Sequence, residues 1–209
     1  MADVVVYGNP LSTYTRTVRM ALVEKGVAYD LEPVDFRAPE YRKVHPFGKI
    51  PAMRHGDFQV YETMAMAKYI DRAFDGPALQ PDAPRPRAVM DQWISATLDY
   101  FYAAMVRKLV FERLVAPAQD RAPDEALVQS ALPEIDLQIR VLADALDRTP
   151  YLAGEDMTLA DLFVQPVLFY VNFTPEGRER LAGTPILDWL DRMNARDSAE
   201  ATMPPIDKL

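Results

Sequence analysis

The sequence predicts a two-part fold: a small α/β unit on a four-stranded mixed sheet, followed by an all-α unit. Three observations carry that prediction. Short β-rich runs and helical stretches alternate up to residue 76, strand period disappears beyond it, and a proline-dense stretch, GPALQPDAPRP at 76–86, separates the two. At 209 residues the chain holds one large domain or two small ones, and 49% hydrophobic residues suffice for a buried core.

Val4-Val5-Val6-Tyr7 is an apolar β-rich run closed by Gly8-Asn9-Pro10, a buried strand followed by a turn. Ser12 and Thr13 are both good N-cap residues for a helix over 15–25, which sets Val18, Ala21 and Leu22 on one face before Gly26 stops it. Alternation across 27–34 supplies a second strand and makes the opening a βαβ unit. Residues 36–44 read as irregular, with a helical turn at 39–43. Brief strands at 52–54 and 58–61 flank His55-Gly56-Asp57, whose glycine and aspartate suit a hairpin turn. Thr63 then caps a helix to Phe74, ended by Gly76-Pro77. This order is that of a thioredoxin-like domain over 1–76.

Beyond a stiff linker at 77–86, residues 87–209 read as helical. Met90, Trp93, Ile94, Thr97, Leu98, Phe101, Met105 and Leu109 follow i, i+3, i+4 spacing through a long helix ending before Pro117. A second amphipathic helix occupies 123–147, with Pro133 marking either a kink or its true start. Thr158-Leu159-Ala160-Asp161 is a capping box in its aspartate form, with Met157 and Leu162 at the staple positions, opening a very apolar helix to Tyr170. A last helix spans 185–196, and the proline-bearing tail 201–209 is expected to wrap the surface.

Composition narrows the function. A net charge of −8 without any basic run suits neither nucleic acid nor an anionic membrane face. No apolar run approaches a membrane span, and the strand-like residues 4–7 follow the start without a basic leader region, so the chain reads as cytoplasmic. It contains no cysteine, which removes disulfides, thiolate metal sites and any protein-borne thiol nucleophile. Thiol chemistry must arrive with a ligand. His45 and His55 lie beside turns without metal-ligand spacing, and no metal site is expected.

The stretch that concentrates chemistry is His45-Pro46-Phe47-Gly48-Lys49-Ile50-Pro51. A proline at the mouth of a strand lacks the ladder N–H, and a minority of such X-Pro bonds are cis. A cis Ile50-Pro51 would leave the Ile50 backbone groups pointing outward to grip an extended peptide as an added strand; otherwise this is a tight turn that ends a loop.

With Ser12 and Val18-Arg19 after the first strand, the Ile-Pro stretch, Glu62-Thr63, and the Thr158–Asp161 box preceded by Tyr151-Leu152-Ala153-Gly154, nearly the whole chain resembles the glutathione transferase superfamily. The run Leu109-Val110-Phe111-Glu112 is most similar to the serine-type phi class and its bacterial relatives. The resemblance implies the glutathione transferase fold, an α/β thioredoxin-like N-terminal domain plus an all-α C-terminal helical domain. It implies transfer of the glutathione thiolate to hydrophobic electrophiles, with peroxide reduction as a side activity and no cofactor beyond glutathione as co-substrate. A non-catalytic ligand-binding or scaffold protein of the same fold is the alternative.

On this resemblance Ile50 beside Pro51 pairs with the cysteinyl amide groups of glutathione, while Glu62 and Thr63 hold its γ-glutamyl end, an acid for the ammonium and a helix start for the carboxylate. Lys49, with Lys43 and Arg37, faces the glycyl carboxylate; Phe36-Arg37 stands where phi-like members carry His-Lys. Ser12 is the catalytic candidate, with Thr13 and Tyr7 as rivals, Tyr7 expected to pack under the first helix. A hydrogen bond to a charged group contributes about 1.5–3 kcal/mol and a helix terminus about 0.3–1, enough to lower a thiol pKa of about 8.5 by roughly one to three. Arg16 and Arg19 either set the field near the sulfur or hold the second domain. The electrophile is expected between the domains, against Pro10, Leu11, Phe101, Tyr102 and Met105. Phe47 stands where dimeric relatives insert an aromatic ring into the partner, so a homodimer is implied.

Overall fold

The computed structural model describes residues 2–206. Contacts among its elements divide the chain into two units, one running to Gln80 and including Arg196–Pro205, the other comprising Pro81–Ala195.

In the first unit, strand β1 (Val4–Tyr7) pairs in parallel with β2 (Tyr29–Glu32) and antiparallel with β3 (Ala52–His55), which pairs antiparallel with β4 (Phe58–Tyr61). The sheet order is β2-β1-β3-β4. Helix α1 (Thr13–Glu24) joins the two parallel strands, a 3-10 turn covers Pro39–Lys43, and α2 (Thr63–Ala73) follows the hairpin. Side chains alternate across a strand, so Val4 and Val6 share one face with their cross-strand partners His55 and Met53, while Val5 and Tyr7 share the other with Arg54 and Ala52. The His55 ring bonds the α2 hydroxyl of Tyr69 at 2.8 Å, which makes the first face that of the helices.

A buried ion pair staples the end of this unit. Lys25 at the C-cap of α1 meets Asp71 at 3.3 Å and donates to the carbonyls of Gly76 and Pro77, while Asp71 accepts from Leu79 N–H and the Gln80 amide. The stretch after α2 is therefore held in place, and α3 (Pro84–Ala96) begins inside the proline-rich segment, with Pro84 in its first turn where a missing N–H costs nothing.

A short helix precedes the C-terminal tail, which contributes only Ala201 to it; beyond it Thr202 and Pro204 are buried and Met203 is exposed. Helix α9 (Asp197–Ala201) packs on α1, with Ser198, Ala199 and Thr202 buried. Arg16, fully buried, donates to the Ala199 carbonyl at 3.1 Å, and Arg19 reaches the Ala201 and Thr202 carbonyls and the Tyr29 hydroxyl. Both cations meet the carbonyl end of α9, where the helix dipole favours them. At the other end, Arg196 forms a two-point pair with Glu24 at 2.7 Å, and Ser198 donates to the same carboxylate at 2.6 Å. Tail residues 207–209 lie outside the described residues.

In the second unit, α3 continues into a widened stretch, Thr97–Val115, whose N–H groups reach back five residues, as from Ala116 to the Phe111 carbonyl. Thr97, Phe101, Ala104, Met105, Val106, Leu109, Val110 and Glu112 are buried along it, and Leu98, expected on the apolar face, stays partly exposed. Helix α4 (Ala116–Ala118) closes this run. Helix α5 (Glu125–Leu146) starts at an Asp124 cap and carries Pro133 within it. Every residue of α6 (Leu159–Val171) is buried, and its capping box forms: Asp161 accepts from the N–H groups of Thr158 (2.9 Å) and Leu152 (3.0 Å) and from the Trp189 indole (3.0 Å). Helix α7 (Pro175–Leu181) was not anticipated, although Thr174-Pro175-Glu176 carries the signal of a capped start; α8 (Pro185–Asn194) completes the unit.

Candidate functional site

Asn9 shapes the loop before α1. Its side chain accepts the Leu11 N–H at 2.8 Å and its carbonyl the Ser12 N–H at 3.0 Å, a local turn that delivers Ser12 to the N-cap of α1. The Ser12 hydroxyl accepts the Thr15 N–H at 3.3 Å. Accepting that bond leaves its own hydrogen available to donate, so capping and donation to a ligand are compatible roles. Thr13, one residue on, is buried. Tyr7 does not pack under α1: it lies on the opposite sheet face, where its hydroxyl accepts from Arg54 Nε at 3.3 Å. Pro10 and Leu11 are partly exposed.

The Ile50-Pro51 bond is cis, and Pro51 is buried. The ladder between β1 and β3 begins at the Tyr7–Ala52 pair, so Ile50 stands before it. The turn that leads here depends on Gly48, whose φ is 58° and whose Cβ, if it had one, would come within 3.2 Å of the Phe36 carbonyl. Across the hairpin, Glu62 adopts φ 71° and ψ 119°, a backbone conformation uncommon outside glycine, and is the N-cap of α2 without a side-chain capping bond. Thr63 is therefore the first helical residue rather than the cap, its side chain buried, while the Glu62 carboxylate is exposed. Strained backbone of this kind clusters at ligand sites.

The cations expected near the glycyl end sit on the surface around this turn. Lys49, Lys43 and Arg37 are all exposed. Arg37 lies with its guanidinium 5.7 Å from the Phe36 ring centroid, and its N–H donates to Asp35 Oδ1 at 3.0 Å. Arg42, not singled out from sequence, donates to the Pro46 carbonyl at 3.2 Å and so braces the turn. Arg16 and Arg19 are bound to the carbonyls of α9, a structural use. In the second unit, Phe101 and Met105 are closed into the core, with Phe101 against Trp93. Tyr102 keeps some surface, and burial pushes its hydroxyl above the ordinary phenol range against the opposing pull of Arg107.

Sequence reading missed a ring cluster of His45, Phe47 and Tyr61 in the first unit. His45 is 2% exposed, its ring 4.9 Å from that of Tyr61 and 6.2 Å from that of Phe47. The one available signal was a histidine directly before the Pro-Phe-Gly turn.

A thioredoxin-like unit whose strand-mouth proline and strained helix start lie on neighbouring strands, followed by an all-helical unit, defines the class. Comparison with known proteins gives the family. The model described as glutathione S-transferase, N-terminal domain, matches residues 6–78, and the C-terminal domain model matches 98–197. A probable glutathione S-transferase of Oryza sativa subsp. japonica is 30% identical, with 96% of this chain and 95% of that protein covered. Glutathione S-transferase 3 of Zea mays is 34% identical over 77% of this chain and 75% of its own length. Among solved structures, glutathione S-transferase III in apo form superposes with TM-score 0.88 at 32% identity, covering 97% of each chain. Glutathione S-transferase I bound with lactoylglutathione gives 0.87 at 26% identity, covering 99% of each. The chain belongs to the glutathione S-transferase family, and the plant relatives bear out the expected likeness to the phi class.

Proposed function

We infer that this protein is a glutathione S-transferase that binds glutathione on its first unit and directs the thiolate at hydrophobic electrophiles. The observation that carries the activity is family membership across both units, at nearly full coverage of transferases with glutathione derivatives bound. Glutathione is the co-substrate that supplies the thiol this cysteine-free chain lacks. Reduced glutathione is the cytoplasmic thiol, which supports the cytoplasm as its location.

Ser12 is assigned to the sulfur. Its hydroxyl already accepts a backbone N–H, so its hydrogen is free to donate to a thiolate at the positive end of the α1 dipole. Glu62 and the first N–H groups of α2 take the γ-glutamyl ammonium and carboxylate, and Ile50, before Pro51, takes the cysteinyl backbone. Lys49, with Arg37 beside it, takes the glycyl carboxylate. The apolar electrophile is assigned to Pro10 and Leu11 of the first unit. The rest of the rate comes from holding thiolate and electrophile at reacting distance, since ionisation alone contributes tens of fold at most. The same thiolate attacking a hydroperoxide breaks the O–O bond, releasing the alcohol and leaving glutathione sulfenic acid, which a second glutathione converts to the disulfide with loss of water; this is the peroxidase side activity.

The test is a pH titration of thiolate ultraviolet absorbance for bound glutathione. The thiol pKa is expected about one to three below its free value near 8.5 in wild type, and restored in Ser12→Ala. An unshifted thiol in wild type rejects the activation chemistry; a shift that persists in Ser12→Ala rejects the residue.

A further inference from the structure

His45 links the two halves of the proposed glutathione site, and it does so through an atom that titrates. Its Nδ1 lies 3.3 Å from the Phe47 N–H. A backbone N–H only donates, so Nδ1 must be the unprotonated acceptor nitrogen. The bond runs from residue i+2 back to residue i, the pattern in which a short side chain mimics a turn. Two other loops of the same unit use it with oxygen acceptors: Asn9 takes the Leu11 N–H at 2.8 Å, and Asp35 takes the Arg37 N–H at 3.0 Å. Of the three acceptors, the imidazole has the reference pKa that lies near neutrality.

The backbone of His45 is also committed, its N–H to the Tyr41 carbonyl and its carbonyl to the Gly48 N–H, both at 2.9 Å. The ring therefore sits rigidly at the head of the turn that leads to Ile50. The ring also meets those of Phe47 and, closer, Tyr61 on β4, and Tyr61 immediately precedes Glu62 with its strained backbone. Burial, the largest influence, lowers its pKa from 6.5 and Lys49 on its own loop adds to that, against Glu62 at the head of α2 and a hydrogen bond with its own backbone, which both favour a proton. Tyr41 meets it through the 3-10 turn and Tyr61 through β4.

We propose that the neutral imidazole of His45 is a positioning residue of the glutathione site, holding the turn before Ile50 against the strand end before Glu62, so that tripeptide affinity falls when His45 takes up a proton. Protonated Nδ1 becomes a donor facing the Phe47 N–H donor, and the turn must open. This rests on the glutathione site proposed above.

The experiment is calorimetric binding of S-hexylglutathione, whose sulfur cannot titrate, between pH 5 and 8, with His45→Asn and His45→Ala beside wild type. Asparagine supplies an i to i+2 acceptor that does not titrate. Wild-type affinity is expected to fall on acidification, approaching about tenfold per pH unit below the free-protein transition, the slope that one excluded proton imposes. His45→Asn is expected to bind as wild type does at pH 8 and to lose that slope; His45→Ala binds about fivefold more weakly at every pH, as one lost hydrogen bond implies. A flat wild-type profile, or the same slope in His45→Asn, overturns the proposal. The two histidines make a second readout simple: NMR titration of wild type should show the His45 transition moving to lower pH on saturation with ligand, and an unmoved transition overturns the proposal even if the variants misfold. Absence of binding at pH 8 rejects the glutathione site itself and this inference with it.

Discussion

Glu62, which we propose holds the γ-glutamyl head of glutathione, stands on a strained backbone. Holding φ at 71° costs a non-glycine residue about 1–2 kcal/mol, and the exposed carboxylate recovers none of it through a capping bond. The use we propose for it is its exposed carboxylate at the start of α2, an acid and a donor set that match the two charges of an α-amino acid head. Glu62→Ala keeps the strain and removes the acid. It is expected to raise KM for glutathione by about tenfold or more, with kcat much less affected, because a bond to a charged group contributes about 1.5–3 kcal/mol to ground state and transition state alike. Initial rates against glutathione concentration check this; an unchanged KM would remove Glu62 from the site.

At the scale of elements, the helices are joined by charges placed where they are partly shielded from water. Glu112, near the end of the widened helix, accepts from Arg121 at 2.7 and 2.8 Å and from the Asp124 N–H at 2.8 Å, tying that helix to the loop that caps α5. The Arg121 bonds, and then the Asp124 N–H, hold its carboxyl down to about 2, against an ordinary value of 4.5. Unfolded chains take up this proton near pH 4.5 while the native state resists it. The stabilisation is therefore complete above pH 4.5 and is lost as pH falls from there toward 2. Urea midpoints of wild type and Glu112→Gln should differ most above pH 4.5 and converge toward pH 2; a constant difference would show that the pair contributes through shape rather than charge. The clamp between α1 and α9 follows the same logic, with Glu24 held by Arg196 and Ser198 at one end and two arginines on carbonyls at the other.

At the scale of the whole molecule, Phe47 is the feature that asks for a partner. Its ring touches His45 and Tyr61 edge-on, yet it is 65% exposed at the tip of its turn. A homodimer that covers it is the assembly we propose. Sedimentation equilibrium should show a dimer for wild type, with Phe47→Ser dissociating at about tenfold or higher concentration, the range expected for losing an anchoring aromatic side chain. Equal self-association of the two proteins would place the interface elsewhere.

Much of the architecture was legible because it is local. The apolar run Val4–Tyr7, the hairpin glycine at Gly56, the Thr158–Asp161 box and the proline opening α8 act through neighbours in sequence, where periodicity and capping chemistry operate. Family motifs likewise marked Ser12, Ile50-Pro51 and Glu62-Thr63 as candidates. What remained hidden depended on residues far apart in the chain or on backbone torsions. Arg16 and Arg19 found their carbonyl partners more than 180 positions away, and these bonds hold the unforeseen α9 on α1. Tyr7 faced away from α1 because strand register, not composition, decides which side a residue takes. Leu98, which apolar spacing places on the buried face, stays partly exposed within the widened stretch. His45 looked like one more loop residue until the fold put its ring between Tyr61 and the Phe47 N–H.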